Sequence, residues 1–338
     1  MRCYEIQQFG LDGLRQNERP DPTPGPGEAL VRVKTVSLNY RDLMMALGQY
    51  NPKQKLPLIP CSDGAGEVVA VGPGVARVKP GDRVMNCFSQ TWMAGPATKE
   101  RSAGTMGGPL DGMLTELRVL SADGLVHTPA HLSDEEAATL PCAAITAWHA
   151  LHDSGGLKAG ETVLVQGTGG VSIFALQFAK MAGARVIATS SSDEKLARAK
   201  ALGADEVINY RTNPDWDKAA KQLTGGVGVD HIVEVGGAGT IMRSFRAIRV
   251  GGHIAVIGVV AGGASAELSV VPILMQGLRI HGVFVGSRDM FEAMNRAITL
   301  AAMKPVVDQV FGFEQAREAF EHMQSAAHFG KIVIRVGD

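Results

Sequence analysis

Charge of one sign is what this chain of 338 residues most plainly lacks: 34 Asp and Glu stand against 33 Lys and Arg. A balance so close to zero offers no field to nucleic-acid phosphates or to an anionic membrane surface, so neither is expected as a partner. Cysteine is scarce as well. The four present, Cys3, Cys61, Cys87 and Cys142, form no CxxC pair. That excludes a small disulfide-held scaffold and suits a reducing, cytoplasmic compartment. No long hydrophobic run exists either. The longest uncharged apolar stretch lies between His253 and Glu267, is rich in glycine, and falls short of the ~20 residues a membrane helix needs. The opening MRCYEIQQFG has no signal-peptide core, because Glu5 and two glutamines interrupt it.

What is present is a chain with core to spare. Hydrophobic residues make up 45% and charged residues 20%, which excludes global disorder. The length suits about two domains of roughly 100–200 residues each. The 41 glycines are spread along the chain, as many tight turns require, rather than gathered in a linker.

The first part reads as short strands and turns. After the turn cluster PDPTPGPG, residues 28–38 alternate, with Leu30, Arg32 and Lys34 on one side and Val31, Val33 and Thr35 on the other. Residues 64–71 form a second apolar strand ending at Gly72-Pro73-Gly74. Pro80-Gly81-Asp82 then feeds a third at Arg83-Val84-Met85. Between them YRDLMMALGQY carries helical spacing and stops at Gly48. Residues 86–112 show no period. Two readings stay open for them: a disordered surface excursion, or an ordered functional loop, since Phe88, Trp92 and Met93 are side chains a wholly solvated loop does not need.

From Lys158 strands and helices alternate. ETVLVQG, ARVIAT, ADEVINY, VDHIVEVGG, HIAVIGVV and LRIHGVFVG read as strands. The helices are VSIFALQFAKMAG, with Val171, Phe174, Ala175, Phe178 and Ala179 on one face, then SDEKLARAKALG, NPDWDKAAKQLTGG, TIMRSFRAIRVGG and the short VVPILMQG. Strands this apolar are buried on both faces of a parallel sheet, which makes the region a doubly wound α/β dinucleotide-binding fold. The tail at 288–338 supplies helices over 288–302 and 314–325 and a last strand, KIVIRV, which return to the first domain.

The sharpest motif is Gly167-Thr168-Gly169-Gly170-Val171-Ser172, after a strand and opening a helix. Amides at a helix N-terminus point at an anion, and glycine lets a pyrophosphate come close. The plainer reading, a tight turn with no ligand, does not account for its place in an alternating unit. Ser172 stands where the GxGxxG pattern has Gly or Ala, and is small enough to keep helix and sheet close. An NAD site usually puts a carboxylate at the end of the second strand; here that place is Ser190. Lys195 lies one turn on, and Tyr210-Arg211 close the third strand. Hydroxyls with two cations suit a 2′-phosphate, so NADP(H) is favoured over NAD(H). Ser192 or Asp193 can also simply cap the helix there.

The segments PGPGEALVRVKTVSLNYRD, PCSDGAGEVVAVGPGV, KPGDRV, LPCAAITAWHAL, VLVQGTGGVSIFALQFAK, ALGADEVINY and HFGKIVI span nearly the whole chain, and together it resembles the medium-chain dehydrogenase/reductase superfamily. The resemblance implies a GroES-like, β-rich catalytic domain over 1–142 and 286–338 and a Rossmann domain over 143–285. In the family's zinc alcohol dehydrogenases a Cys stands where Asn39 is, a His-Glu pair where Ser62-Asp63 are, and a proton-relaying hydroxyl where Arg41 is. Cys142 alone matches a ligand, and the four-cysteine structural lobe is reduced to Cys87. One ligand of three does not hold catalytic zinc, so no metal is expected.

Without zinc the chain is similar to the quinone oxidoreductase and enoyl reductase branch, whose N-[FY]-x-D motif is matched by Asn39-Tyr40-Arg41-Asp42. Tyr50 and Thr146 match positions that line that branch's nicotinamide and substrate pocket. Met44 stands where some members have a second tyrosine. The resemblance implies hydride transfer from NADPH to a quinone or an α,β-unsaturated carbonyl compound. Asn39, Tyr40 or Tyr50 would donate to the developing enolate, with Asp42 orienting a neighbour. The alternatives are a zinc-type alcohol dehydrogenase with irregular ligands and a nucleotide-binding protein that does no chemistry. The strand at 278–286 would lie at a sheet edge, which predicts a homodimer formed by strand pairing there.

Overall fold

A computed structural model describes residues 1–263 and 268–337, so the end of the apolar stretch that runs to Glu267 lies outside the described residues. The chain divides into two compact units, Met1–Ile145 with Gly286–Asp338, and Thr146–Val285.

The first unit is built on a seven-stranded sheet whose order runs Val307–Gly312, Lys331–Arg335, Glu28–Leu38, Asp63–Val71, Arg83–Asn86, Leu125–His127, with Leu117–Ser121 also paired to Glu28–Leu38. The alternation read along 28–38 is that strand's burial pattern as far as Thr35, after which Val36, Ser37 and Leu38 are all buried; Val31, Val33, Val36 and Leu38 enter one apolar core with Leu43, Met45, Phe320, Ile332 and Ile334. Lys331–Arg335 pairs antiparallel with Glu28–Leu38 and parallel with Val307–Gly312, so the tail completes this sheet. The N-terminal hairpin of Arg2–Ile6 and Leu14–Glu18, and the strand Val307–Gly312, were not evident from the sequence.

Residues 86–112 form a folded loop. Phe88 and Trp92 are buried, Trp92 Nε1 donates to the Gly95 carbonyl at 2.8 Å, and Ser89 Oγ donates to that of Arg101 at 2.7 Å. The Trp92 and Met93 carbonyls accept from the amides of Arg288 and Asp289, both at 3.0 Å, which ties the loop to the start of the helix Arg288–Ala301. Buried aromatics and closed backbone bonds favour the ordered reading.

The second unit is a six-stranded parallel sheet. In spatial order its strands are Glu206–Asn209, Arg185–Ser190, Thr162–Gln166, Val229–Glu234, Ile248–Val256 and Arg279–Gly282, the order of a doubly wound dinucleotide fold. The continuous apolar runs are explained by burial on both faces: Val163, Leu164, Val165, Ile232 and Val233 are shut from solvent. On the helix Gly170–Met181, Phe174 stacks on Phe178 at 5.9 Å, and Trp148 meets Phe178 edge-on at 5.6 Å.

Two elements differ from the sequence reading. The helix expected over 240–252 ends at Ala247, because Ile248 turns extended and starts the strand Ile248–Val256. The last strand, expected over 278–286, is regular only over Arg279–Gly282; Val285 adopts φ +49° and leaves strand geometry. Three histidines stand side by side across this sheet. His231 Nδ1 lies 3.5 Å from His253 Nδ1, His253 Nε2 lies 3.0 Å from His281 Nδ1, and His231 Nε2 lies 2.9 Å from a Glu161 carboxylate oxygen. Burial, aided by the neighbouring His231, His281 and Arg279, lowers the His253 imidazole to about 3.

Candidate active site

In the second unit the phosphate loop joins the strand Thr162–Gln166 to the helix Gly170–Met181. Gly167 has φ +72°, a conformation side chains resist, and a Cβ on Gly167 or Gly169 would meet no protein atom within 4 Å. The space over both glycines is therefore open at the mouth of a helix N-terminus, where amides at Gly170 and Val171 begin the helix without carbonyl partners. Ser172 is buried, and its hydroxyl donates to the Gln166 carbonyl at 2.6 Å, so the departure from the glycine pattern ties helix to strand. The residues present fit a dinucleotide.

A residue the sequence reading passed over braces this floor. Glu234, fully buried, accepts from the amides of Gly236 and Gly237 at 2.9 and 3.0 Å and from Gln166 Nε2 at 2.8 Å, together with the Thr240 and Ser244 hydroxyls. Five donors and no cation hold one carboxylate, which joins the ends of two central strands. Only its position in VDHIVEVGG, a lone acid in an apolar strand, could have signalled it.

Ser190 ends the second strand and is buried, and its carbonyl accepts from the Tyr210 amide at 3.0 Å. The two strand ends carrying Ser190 and Tyr210-Arg211 are thereby brought together. Ser192 caps the following helix through the Lys195 amide at 3.3 Å, as the capping alternative required. Asn209 Nδ2 donates to Asp193 at 2.7 Å, which turns that carboxylate toward an amide. Tyr210 and Arg211 are exposed and Lys195 is half-buried. Thr146 is buried in the short helix Ile145–Trp148.

In the first unit Asn39 caps the helix Tyr40–Ala46. Its amide donates to Asp42 Oδ2 at 2.8 Å, and Asp42 Oδ1 accepts from the Ser62 amide at 3.2 Å and from Arg41 at 3.3 Å. Asp42 is thus wholly engaged within the protein, and burial raises its carboxyl above the usual range. Arg41 is also committed: it donates to the Met106 and Gly108 carbonyls at 2.9 and 3.2 Å, and its guanidinium lies over the Tyr50 and Phe88 rings at 4.9 and 5.0 Å. It pins the folded loop and seats Tyr50. Tyr40 and Tyr50 are 44% and 43% exposed, so the motif holds Asn39 and Asp42 inside and leaves two phenols outside.

The resemblance puts the zinc family's metal-ligand positions at the centre of this cluster. Asn39 Oδ1 accepts from Lys331 Nζ at 2.6 Å, Asn39 Nδ2 donates to Ser62 Oγ at 3.2 Å, and Ser62 Oγ donates to Asp63 Oδ1 at 2.7 Å. Asp63 Oδ2 accepts from the Cys142 amide at 3.1 Å. Burial raises the Asp63 carboxyl to about 6, against the opposing pull of the Lys331 ammonium. Among the described residues no group of three or more His, Cys, Asp or Glu converges as a metal would need. The oxygen on Asn39 already holds an ammonium, and the carboxylate of Asp63 is already bonded on both oxygens. This donor set does not fit a catalytic zinc.

The chain matches two families, the alcohol dehydrogenase GroES-like domain over residues 25–130 and zinc-binding dehydrogenase over residues 170–299. It is 46% identical over 333 residues to the zinc-type alcohol dehydrogenase-like protein C1773.06c of Schizosaccharomyces pombe, covering 97% of this chain and 96% of that one. It is 30% identical over 331 residues to the acryloyl-coenzyme A reductase of Metallosphaera sedula, covering 95% and 96%. Among solved structures, an NAD-dependent alcohol dehydrogenase superposes with a TM-score of 0.91 at 37% identity over all of both chains. Mycobacterial Rv1454c complexed with NADPH superposes at 0.83 with 27% identity, over 99% of this chain and 100% of that one.

Proposed function

Because this chain belongs to the medium-chain dehydrogenase/reductase superfamily and is an NAD(P)-dependent oxidoreductase, we propose that it uses NADPH, without a metal, to reduce a quinone or an α,β-unsaturated carbonyl compound. The observation that carries this reading is the cluster at Asn39, Ser62, Asp63 and Cys142, where a lysine ammonium is bonded to the residue at the first zinc ligand's position. An acryloyl-coenzyme A reductase among the relatives is named for a conjugated carbonyl and supports the substrate class.

A bound dihydronicotinamide supplies the hydride. This chain's own task is to hold that cofactor and to meet the negative charge that gathers on the substrate oxygen. Gly167, Gly169, Gly170 and Val171 offer the pyrophosphate a close backbone and unpaired helix amides. Thr146 lines the nicotinamide side, as in the branch the chain resembles. Ser190, Lys195, Tyr210 and Arg211 receive the adenosine end; Ser190 leaves no carboxylate at the end of the second strand, and the Asp193 carboxylate close by is held by Asn209, while the NADPH complex of one relative supports this choice. In the first unit the Tyr40 and Tyr50 hydroxyls and the Asn39 amide are the donors for the enolate oxygen, with Asp42 fixing the backbone that carries them. The last proton comes from water, so no dedicated acid is required.

The test is turnover of purified protein with NADPH and with NADH against a panel of enones, enals and quinones, before and after chelation. Turnover with NADPH that survives chelation is expected. Loss on chelation with recovery on adding zinc overturns the metal-free reading, tighter NADH binding overturns the NADPH preference, and no turnover with any member of the panel overturns the substrate class.

A further inference from the structure

Lys331 is 3% exposed, yet it makes no direct ion pair among the described residues. Its ammonium donates to two neutral oxygens, the Leu38 carbonyl and Asn39 Oδ1, both at 2.6 Å. A buried ammonium without a contacting carboxylate is a poor source of stability, because the desolvation it suffers is not repaid by a direct partner. The backbone explains how it gets there: Lys331 opens the strand Lys331–Arg335, whose next residue, Ile332, is paired with Leu38, so the lysine is carried to the residue that precedes the motif helix.

We propose that Lys331 is a positioning residue, a cation built into the chain at the place its zinc-dependent relatives fill with metal, which sets the Asn39 amide for the substrate's oxygen. An ammonium has three donors and no acceptor, so the Asn39 amide must turn its oxygen to Lys331 and its NH2 group away. That NH2 group meets Ser62 Oγ, which in turn donates to Asp63, and the three side chains form one directed chain of hydrogen bonds starting at the ammonium. Charge on the amide oxygen draws density from the nitrogen and strengthens its N–H as a donor, as linked hydrogen bonds polarise one another. The positive charge also answers the two buried carboxylates, Asp42 and Asp63, beside Arg41. Where a metal must be loaded, this site carries its cation in the sequence.

The inference rests on the metal-free reading above, and the experiment separates the two. In the full-length protein, Lys331→Met is expected to lower kcat with NADPH and an enone at least tenfold while changing NADPH affinity less than twofold. Lys331→Arg, which keeps a donor cation, should recover most of the loss. If Lys331→Met destabilises the fold by leaving buried carboxylates uncompensated, Lys331→Met with Asp63→Asn restores the charge balance and is read in the same way. The second readout needs no substrate. The Asn39 side-chain NH2 signals, assigned in a 15N spectrum by their loss in Asn39→Asp, should be shifted and protected from exchange in the wild type. They should move toward ordinary amide values in Lys331→Met and return with arginine. If no enone or quinone is turned over, the reaction reading fails while the amide signals still decide the role of Lys331. Wild-type kcat in Lys331→Met, arginine no better than methionine, or unmoved amide signals overturn the inference.

Discussion

Tyr50 and Asn39 belong to one motif neighbourhood but differ in what their polar atoms already hold. Asn39 is engaged on both sides of its amide, whereas Tyr50 has its ring against Arg41 and is exposed as a residue. Tyr50→Phe keeps the ring and its contact and removes only the hydroxyl. If Tyr50 is the main donor to the enolate oxygen, turnover falls by up to about 10²–10³-fold, the ~2.7–4 kcal/mol such a donor contributes, with NADPH affinity unchanged; steady-state kinetics and a fluorescence titration read both. Equal turnover would make it a packing residue. At the adenosine end, Lys195→Ala or Arg211→Ala should weaken NADPH binding about tenfold, since a charged hydrogen bond contributes ~1.5–3 kcal/mol, and should leave NADH nearly untouched. Ser190→Asp should reverse the preference, by repelling the phosphate and accepting from the free ribose hydroxyl. The side chains legible in the sequence are those whose type is itself a signal: glycines at a strand–helix junction, a serine in an acid's place, an asparagine in a cysteine's. Lys331 and Glu234 were illegible because a lysine or glutamate at a strand end usually faces water. Only the pairing of distant strands puts them inside.

At the scale of elements, periodicity carried far where neighbours along the chain decide the structure. The strand Glu28–Leu38 and the helix Gly170–Met181 lie within a residue or so of where their patterns put them. It failed where a distant partner decides. Ile248-Arg249-Val250 continues a helical pattern, yet the chain turns extended at Ile248, and Arg249 pairs with Asp230 on the neighbouring strand. The phosphate loop allows a test of element against ligand. Gly169 has φ −76°, which alanine accepts, and its Cβ would meet no protein atom within 4 Å. Gly169→Ala should therefore leave the melting temperature nearly unchanged while weakening nucleotide binding at least tenfold, because the added methyl enters the space the pyrophosphate needs. A variant that binds nucleotide as the wild type does would place the phosphates elsewhere.

For the whole molecule, we propose a homodimer joined at the Arg279–Gly282 edge. That strand ends its sheet, and Val270, Val271, Leu274 and Met275, on and before the short helix next to it in sequence, are all exposed. An open edge beside apolar side chains calls for cover. Sedimentation at micromolar concentration should give a dimer, and Leu274→Lys should shift it toward monomer; a wild-type monomer removes the proposal. The histidines crossing the same sheet give the fold a pH dependence. His253 is held at about 3 against an ordinary 6.5, so below pH 6.5 the unfolded chain takes up a proton that the folded one refuses. Its contribution is unimpaired above pH 6.5 and is eroded as the pH falls from there toward about 3. Urea unfolding at several pH values should show that decline, and His253→Gln should make it shallower.

The strand Lys331–Arg335 also sets an order of events during synthesis. The second unit is one uninterrupted stretch, and all its strands are synthesised before the tail. The first unit waits, because its sheet lacks the strand between Glu28–Leu38 and Val307–Gly312 until residue 335 emerges. Until then Asp42 and Asp63 lack the Lys331 ammonium, whose charge favours the ionised form of both. The Rossmann-like unit is thereby the natural first folder, and the GroES-like unit closes last, on the strand that completes its sheet.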